Sequence, residues 1–219
     1  MKKEKTPRPD ISKHHFLSFG NAKLPKTCAI FNLLAVEDCP NCETCKDSCY
    51  AIWRQCFSSV RNHREINSWF AHFAINELAD YITEELKAKG DKVQFCRIHE
   101  AGDFISEPYF IMWHCIAERL PNIKFFSMTK VPEALKLFRR LPKLNNFNIM
   151  DSMPDGMRNY GSEEYCDKLC KEHGCFKCPD VDHSNICLVQ CKYCTKGSRP
   201  CYVIHGSRKG CDKYETSSN

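Results

Sequence analysis

The stretch CPNCETCKDSCY places four thiols, Cys39, Cys42, Cys45 and Cys49, inside eleven positions. Thiols this close together can be disulfide partners, zinc ligands, iron–sulfur ligands or redox-active groups. The spacing C-x2-C-x2-C-x3-C is one that iron–sulfur clusters use, with Tyr50 where a proline commonly closes the run. Its short steps aim several sulfurs at one point, as a cubane cluster or a zinc ion requires. In chains with two clusters the fourth cysteine of such a run serves the other cluster, so the four need not share one site. Cys28 and Cys56 are spare candidates. A second group lies in CFKCPDVDHSNICLVQCKYC, with Cys175, Cys178, Cys187, Cys191 and Cys194. Two C-x2-C steps separated in this way have the spacing of a zinc ribbon.

The chain holds 17 cysteines, an odd number, which leaves at least one thiol outside any set of disulfides. It opens MKKEKTPRPD and stays polar, without the apolar run and small-residue cleavage site of a signal peptide. No segment approaches the roughly 18 consecutive apolar residues of a membrane span. The expectation is a reducing cytoplasm and no membrane, with thiols held by metal. Iron–sulfur, as one cluster or two, is the favoured cofactor, and zinc is the alternative. Cys96 and Cys115, each alone on a strand or helix, read instead as small buried apolar side chains.

The elements that must position these groups follow from the residue pattern. Residues 1–27, with Pro7, Pro9 and Pro25, read as a basic arm with little regular structure. CAIFNLLAV (28–36) is a short buried strand or a helical turn that feeds the first cysteine group. One long helix is expected from Ser58 to Lys89, capped by Ser58 or Ser59 and ended by Gly90. Ile66, Phe70, Ala74, Leu78, Ile82 and Leu86 form its core stripe. Strands at 93–99, 123–128 and 147–150 alternate with helices capped by Ser106 and begun near Pro132. This order predicts an α/β fold over 28–160 around a parallel sheet, either a partial barrel or a small open sheet. Residues 161–219 are cysteine-rich, poor in apolar residues and without helical periodicity. They are expected to form a metal-stabilised C-terminal segment.

His99, Asp103, Lys130 and Asp151 each fall just beyond the C-terminal end of an expected parallel strand, the edge where α/β folds build their sites. His99, Asp103 and Lys130 are the candidate catalytic residues: His99 to move protons, Asp103 to bind a cation or amine, Lys130 to hold an anionic group. Gly102, which lets backbone approach a ligand, and Asp151 are the candidate cofactor-binding residues. Structural roles compete with these: Asp103 as a loop cap, His99 on a buried carbonyl, Lys130 in solvent.

CPNCETCKDSCYA, RIHEAGDFISEPYFIMW, FFSMTK and the late CP…C…C…C…VIHG resemble the phage gene product 88 family over roughly residues 16–206. That resemblance implies Cys39, Cys45 and Cys49 as a first cysteine set and Cys178, Cys187, Cys191 and Cys194 as a second. Cys42 is an addition to its pattern, and Ala101 stands where the family often has serine. The chain is also similar to radical S-adenosylmethionine enzymes, which place a cysteine cluster after an early strand and a glycine–acid motif at the end of the next. This likeness implies that HEAGDF meets the methionine part of S-adenosylmethionine. CLVQCKYC matches their C-x3-C-x2-C triplet too, but only 25 residues follow Cys194, so an auxiliary or structural metal site is expected there.

Two functional expectations result. The first is an iron–sulfur enzyme with its site at the sheet edge, using S-adenosylmethionine. The second is a non-catalytic zinc- or cluster-stabilised protein that binds nucleic acid through its basic ends. Residues 1–26 carry seven Lys/Arg and residues 187–213 carry six, within a net charge of +5. Tyr193 and Tyr202 would there stack on bases, and His205 is read as a strand-end histidine.

Overall fold

The computed structural model describes residues 7–46, 49–152, 160–161, 163–178, 188, 191, 193–195 and 200–203. Its centre is a sheet of five strands: β1 (Ser18–Phe19), β2 (Cys28–Phe31), β3 (Phe95–Ile98), β4 (Lys124–Thr129) and β5 (Phe147–Asp151), neighbours in that order. β1 pairs antiparallel with β2, and the other pairings are parallel. The apolar run at 28–36 is therefore a strand that ends at Phe31.

Parallel neighbours need long crossovers, and helices supply them. α1 (Tyr50–Gln55), α2 (Ser58–Phe73) and α3 (Ile75–Lys89) lie between β2 and β3. α4 (Glu107–Arg119) links β3 to β4, and α5 (Pro132–Arg140) links β4 to β5. Ser106 caps α4 as expected, its Oγ accepting from the Tyr109 N–H at 3.3 Å. Phe70, Leu78, Ile82, Phe110, Trp113 and Leu137 from these helices pack on one face of the sheet, against Phe31, Cys96, Ile98, Phe125 and Ile149. With the helices on one side and the strands in sequential order, the sheet winds in one direction, as a barrel segment does, yet it stays an open sheet.

The expected single helix over 58–89 is two helices, broken at Ala74 (φ −144°). The reason lies in the stripe itself. A four-residue repeat on a 3.6-residue helix precesses by roughly 40° per step, so Ile66 and Leu86 would face nearly opposite sides of one straight helix. Breaking the axis at Ala74 keeps both ends on the core. Ser58 is the first residue of α2 rather than its cap, which Phe57 provides without a side-chain bond. Gly90 ends α3 with φ +53°.

The opposite face of the sheet carries Cys28, Ile30, Phe95, Phe126 and Met150, covered by Leu24, Leu188 and Cys194. The N-terminal segment is also seated more firmly than a solvated arm. Phe16 and Leu17 are buried, and their N–H groups both donate to the Glu85 carboxylate, at 2.7 and 3.1 Å. Arg8 forms a bidentate pair with Glu77 at 3.0 and 2.7 Å.

The cysteine-rich segment departs from expectation by containing a helix, α6 (Glu163–His173), beside β6 (Tyr160–Gly161), β7 (Phe176–Lys177) and β8 (Pro200–Val203). The strands pair in parallel, in the order β6-β8-β7. Cys166 and Leu169 are its buried face, so the helical period is present once cysteine counts as apolar. No helix among the described residues is long and apolar enough to cross a membrane.

Gly102 is where the fold is least tolerant. Its φ is +82°, and an added Cβ would meet the Leu33 Cβ at 2.6 Å. Gly102→Ala should destabilise the protein by about 3 kcal/mol, combining left-handed strain with overpacking. Urea unfolding of the variant checks this, and a loss under about 1 kcal/mol would mean the β3 exit loop yields freely.

Candidate functional site

The first cysteine group leaves the C-terminal end of β2 as a tight coil. The Cys42 N–H donates to the Cys39 carbonyl at 3.1 Å, the Cys45 N–H to the Cys42 carbonyl at 2.9 Å, and the Cys49 N–H to the Lys46 carbonyl at 3.3 Å. Bonds of this i→i+3 type bring side chains three apart onto one side. The C-x2-C steps over 39–45 are thus wound as successive tight turns. Cys39 is pushed up to about 12, first by burial, with Asp103, Cys49 and Cys45 adding to the cost of a thiolate. Cys49 packs with Ala35, Ala51 and Ala101. Of the spare candidates, Cys28 is buried in β2, and Cys56 is disulfide-bonded.

This coil is fastened to the exits of β3 and β4. Asn41 Nδ2 donates to the Lys130 carbonyl at 2.6 Å, and the Tyr50 hydroxyl donates to the Glu100 carbonyl at 2.8 Å. The Asp103 N–H donates to the Asp38 carbonyl at 2.9 Å, and the Leu33 N–H to the Ala101 carbonyl at 3.0 Å. Ala101, at 3% exposure, lies where this approach leaves little room.

The structure brings His99, Gly102, Asp103 and Lys130 to one sheet edge, with Asp151 at the end of β5 opposite Thr129. Asp103 is buried and fully engaged. Its Oδ1 accepts from the Thr129 hydroxyl at 2.6 Å and the Phe104 N–H at 2.8 Å, and its Oδ2 from the Lys130 N–H at 3.0 Å. Burial raises its pKa, and those three bonds and the Lys130 charge oppose the rise. It locks the β3 exit to the β4 exit. His99 sits at φ +66°, walled by Phe31, Phe104 and Tyr109, with Nε2 bonded to the Tyr109 hydroxyl at 2.8 Å rather than to a carbonyl. Its Nδ1 has no partner among the described residues. Burial drives its pKa down to about 3, so the ring is neutral.

Several residues of the edge carry no strand-end or cysteine signal in sequence. Asp38 is buried and paired with His72 at 2.8 Å, although His72 reads as an ordinary helix position. Asn32 Oδ1 accepts from the Glu100 and Ala101 N–H groups at 2.7 and 2.9 Å, shaping the HEAGDF turn. Glu100 is held by Asn21 and, at 3.2 Å, by Arg97. Arg64 is a buried guanidinium, donating to the Ala51 carbonyl at 2.9 Å and lying within electrostatic reach of Tyr50, Glu100 and Cys49. Asparagines just after strands are the one cue that could have found part of this set, since they often bond loop backbone.

Elsewhere, Cys178 donates its N–H to the Cys201 carbonyl at 2.8 Å, and Cys191 accepts from the Leu188 N–H at 2.7 Å. Cys194 is buried against the second face of the sheet, its carbonyl accepting from Asn148 Nδ2 at 2.6 Å. Cys187 and His205, and the side chains of Tyr193 and Tyr202, lie outside the described residues. Among the described residues no three Cys, His, Asp or Glu side chains stand ready to grip a single metal ion as they lie. A surface depression of about 530 Å³ opens at the opposite, N-terminal strand edge, between Glu118, Lys124, Lys143 and Asn146, away from every strand-end motif.

The buried histidines set a pH dependence. An unfolded imidazole takes up a proton below about 6.5, whereas folded His99 does not until about pH 3. Its contribution is therefore complete above pH 6.5 and is lost as pH falls through that window. Stability should drop by about 2 kcal/mol between pH 7 and pH 5 from His99 alone. His63, lowered to about 4 by burial, adds in the same direction. His99→Asn, which tolerates the left-handed backbone, should flatten the profile in pH-resolved urea titrations, and an unchanged slope would assign the effect elsewhere.

No curated protein and no solved structure matches this chain. A family described as gene product 88 matches residues 13–216, which takes in the cysteine coil, the HEAGDF turn and the C-terminal cysteines. The chain belongs to the gene product 88 family.

Proposed function

We propose that the strand-edge cysteine coil holds an iron–sulfur cluster and that the edge beside it is a radical S-adenosylmethionine-like active site. The observation that carries this is that the segment bearing Cys39, Cys42, Cys45 and Cys49 is tied to the exits of β3 and β4, by Asn41 to the Lys130 carbonyl, Tyr50 to the Glu100 carbonyl and the Asp38 carbonyl to the Asp103 N–H. Short C-x2-C steps serve a cubane cluster and a zinc ion alike, and the full C-x2-C-x2-C-x3-C run, a spacing that iron–sulfur clusters use, favours the cluster. Two non-glycine residues in left-handed backbone, Val36 (φ 68°) and His99 (φ 66°), bracket the edge, and such strain concentrates at functional sites.

A cluster bound there supplies one electron at a time, which is what reductive cleavage of S-adenosylmethionine consumes. This chain's own residues do the positioning. Arg64 offsets the negative charge of the thiolates. Asp151 and Lys130 are the polar contacts for a ligand at this edge, and Gly102 lets the β3 exit loop pack closely on Leu33. His99 and Asp103 act as positioning residues, because one is neutral and enclosed and the other has both oxygens committed.

Anaerobic purification with iron, sulfide and zinc quantified, followed by a cleavage assay on S-adenosylmethionine, tests this. Iron and sulfide should be present and should fall at least tenfold in Cys39→Ser, Cys45→Ser and Cys49→Ser, with Cys42→Ser retaining most of both. Asp103→Asn should leave the iron in place and depress cleavage. Zinc alone, no cleavage and salt-sensitive binding of DNA or RNA would overturn the reading in favour of a nucleic-acid-binding protein.

A further inference from the structure

Among the described residues, the unit made by α6, β6, β7 and β8 has a small buried core. Its buried cluster is Cys166, Leu169, Cys175 and Cys201, with Cys170 and Tyr165 packed against it. Four of these six side chains are thiols. The fold brings the four cysteines together by separate devices. Cys166 and Cys170 are four apart on α6 and share a face. Gly174, at φ +62° directly after the helix, turns the chain so that Cys175 re-enters the cluster. Parallel pairing of β7 with β8, reinforced by the Cys178 N–H on the Cys201 carbonyl at 2.8 Å, delivers Cys201 from 35 residues beyond Cys166. Lys177 clamps β7 to α6 through Glu163 and Asp167 at 3.0 and 2.7 Å.

We propose that Cys166, Cys170, Cys175 and Cys201 form a structural tetrathiolate zinc site, distinct from the strand-edge coil and from the C-x2-C pairs that the sequence emphasises. Zinc suits this group because the thiols are crowded. Cys166 and Cys201 already touch at 2.6 Å, and side-chain rotation must widen that pair by about 1 Å to reach the separation of two ligands on one tetrahedral ion. An ion held by these thiolates cross-links α6 to β8, so its binding is coupled to folding of the unit. Nothing in this inference depends on the identity of the strand-edge cofactor.

The test is zinc content of the purified full chain, measured alongside iron. One equivalent of zinc should be lost in the Cys170→Ser/Cys175→Ser double variant and kept in the Cys39→Ser/Cys45→Ser variant. Cobalt(II) replacing that zinc should give the intense thiolate-to-metal absorption of a tetrahedral sulfur site. If the double variant does not fold, alkylation mapping of the wild-type chain decides: the four thiols should be protected together and become reactive together when a chelator is added. Zinc content unchanged by Cys170→Ser/Cys175→Ser, protection indifferent to chelator, or a Cys166–Cys201 disulfide in non-reducing peptide maps would each overturn the proposal.

Discussion

A parallel sheet wound in one direction imposes two consequences from which most of this structure follows. Every strand exit from β2 to β5 falls on one edge, and the longer crossover helices α2 to α5 pack on one face. The edge gathers the cysteine coil, HEAGDF, Lys130 and Asp151 without any of them being near in sequence. Among the described residues no α-helix packs on the opposite face, so Ile30, Phe95, Phe126 and Met150 take another cover. Leu24 from the N-terminal segment and Leu188 and Cys194 from the cysteine-rich segment provide it. Chain ends that look like appendages are thus parts of the core.

The edge is held by backbone-directed bonds more than by charge pairs. Asp103 joins two strand exits through three hydrogen bonds, Asn32 shapes the turn before it, and Asn41 and Tyr50 tie the coil to the carbonyls of Lys130 and Glu100. Burying a carboxylate is costly unless its oxygens are satisfied, and here they are. The same engagement changes what Asp103 can do, since an acid with both oxygens committed to the fold is poorly placed to leave them for a substrate.

The two cysteine populations differ in spacing once folded. Along the coil, thiols are set a helical turn apart by i→i+3 bonds. In the C-terminal unit, sulfurs from a helix and a distant strand are in contact.

Much was legible in sequence. The run FCRI, its neighbours KFFSMT and FNIMD, and the Ser106 cap specify strands and a helix locally, because their apolar period and cap chemistry act over a few residues. The family kinship was legible for the same reason, being carried by short contiguous motifs. Tertiary structure alone decided the rest. The break at Ala74 reflects the need of both helix halves to face one core. The pairing of Asp38 with His72 and of Asn32 with the HEAGDF turn joins positions tens of residues apart. The assembly of Cys166, Cys170, Cys175 and Cys201 depends on a strand pairing no local pattern encodes. Spacing along a chain fixes which thiols can meet across one turn, while only the packed fold fixes which meet across thirty residues, because that choice is made by burial and pairing shared over the whole molecule.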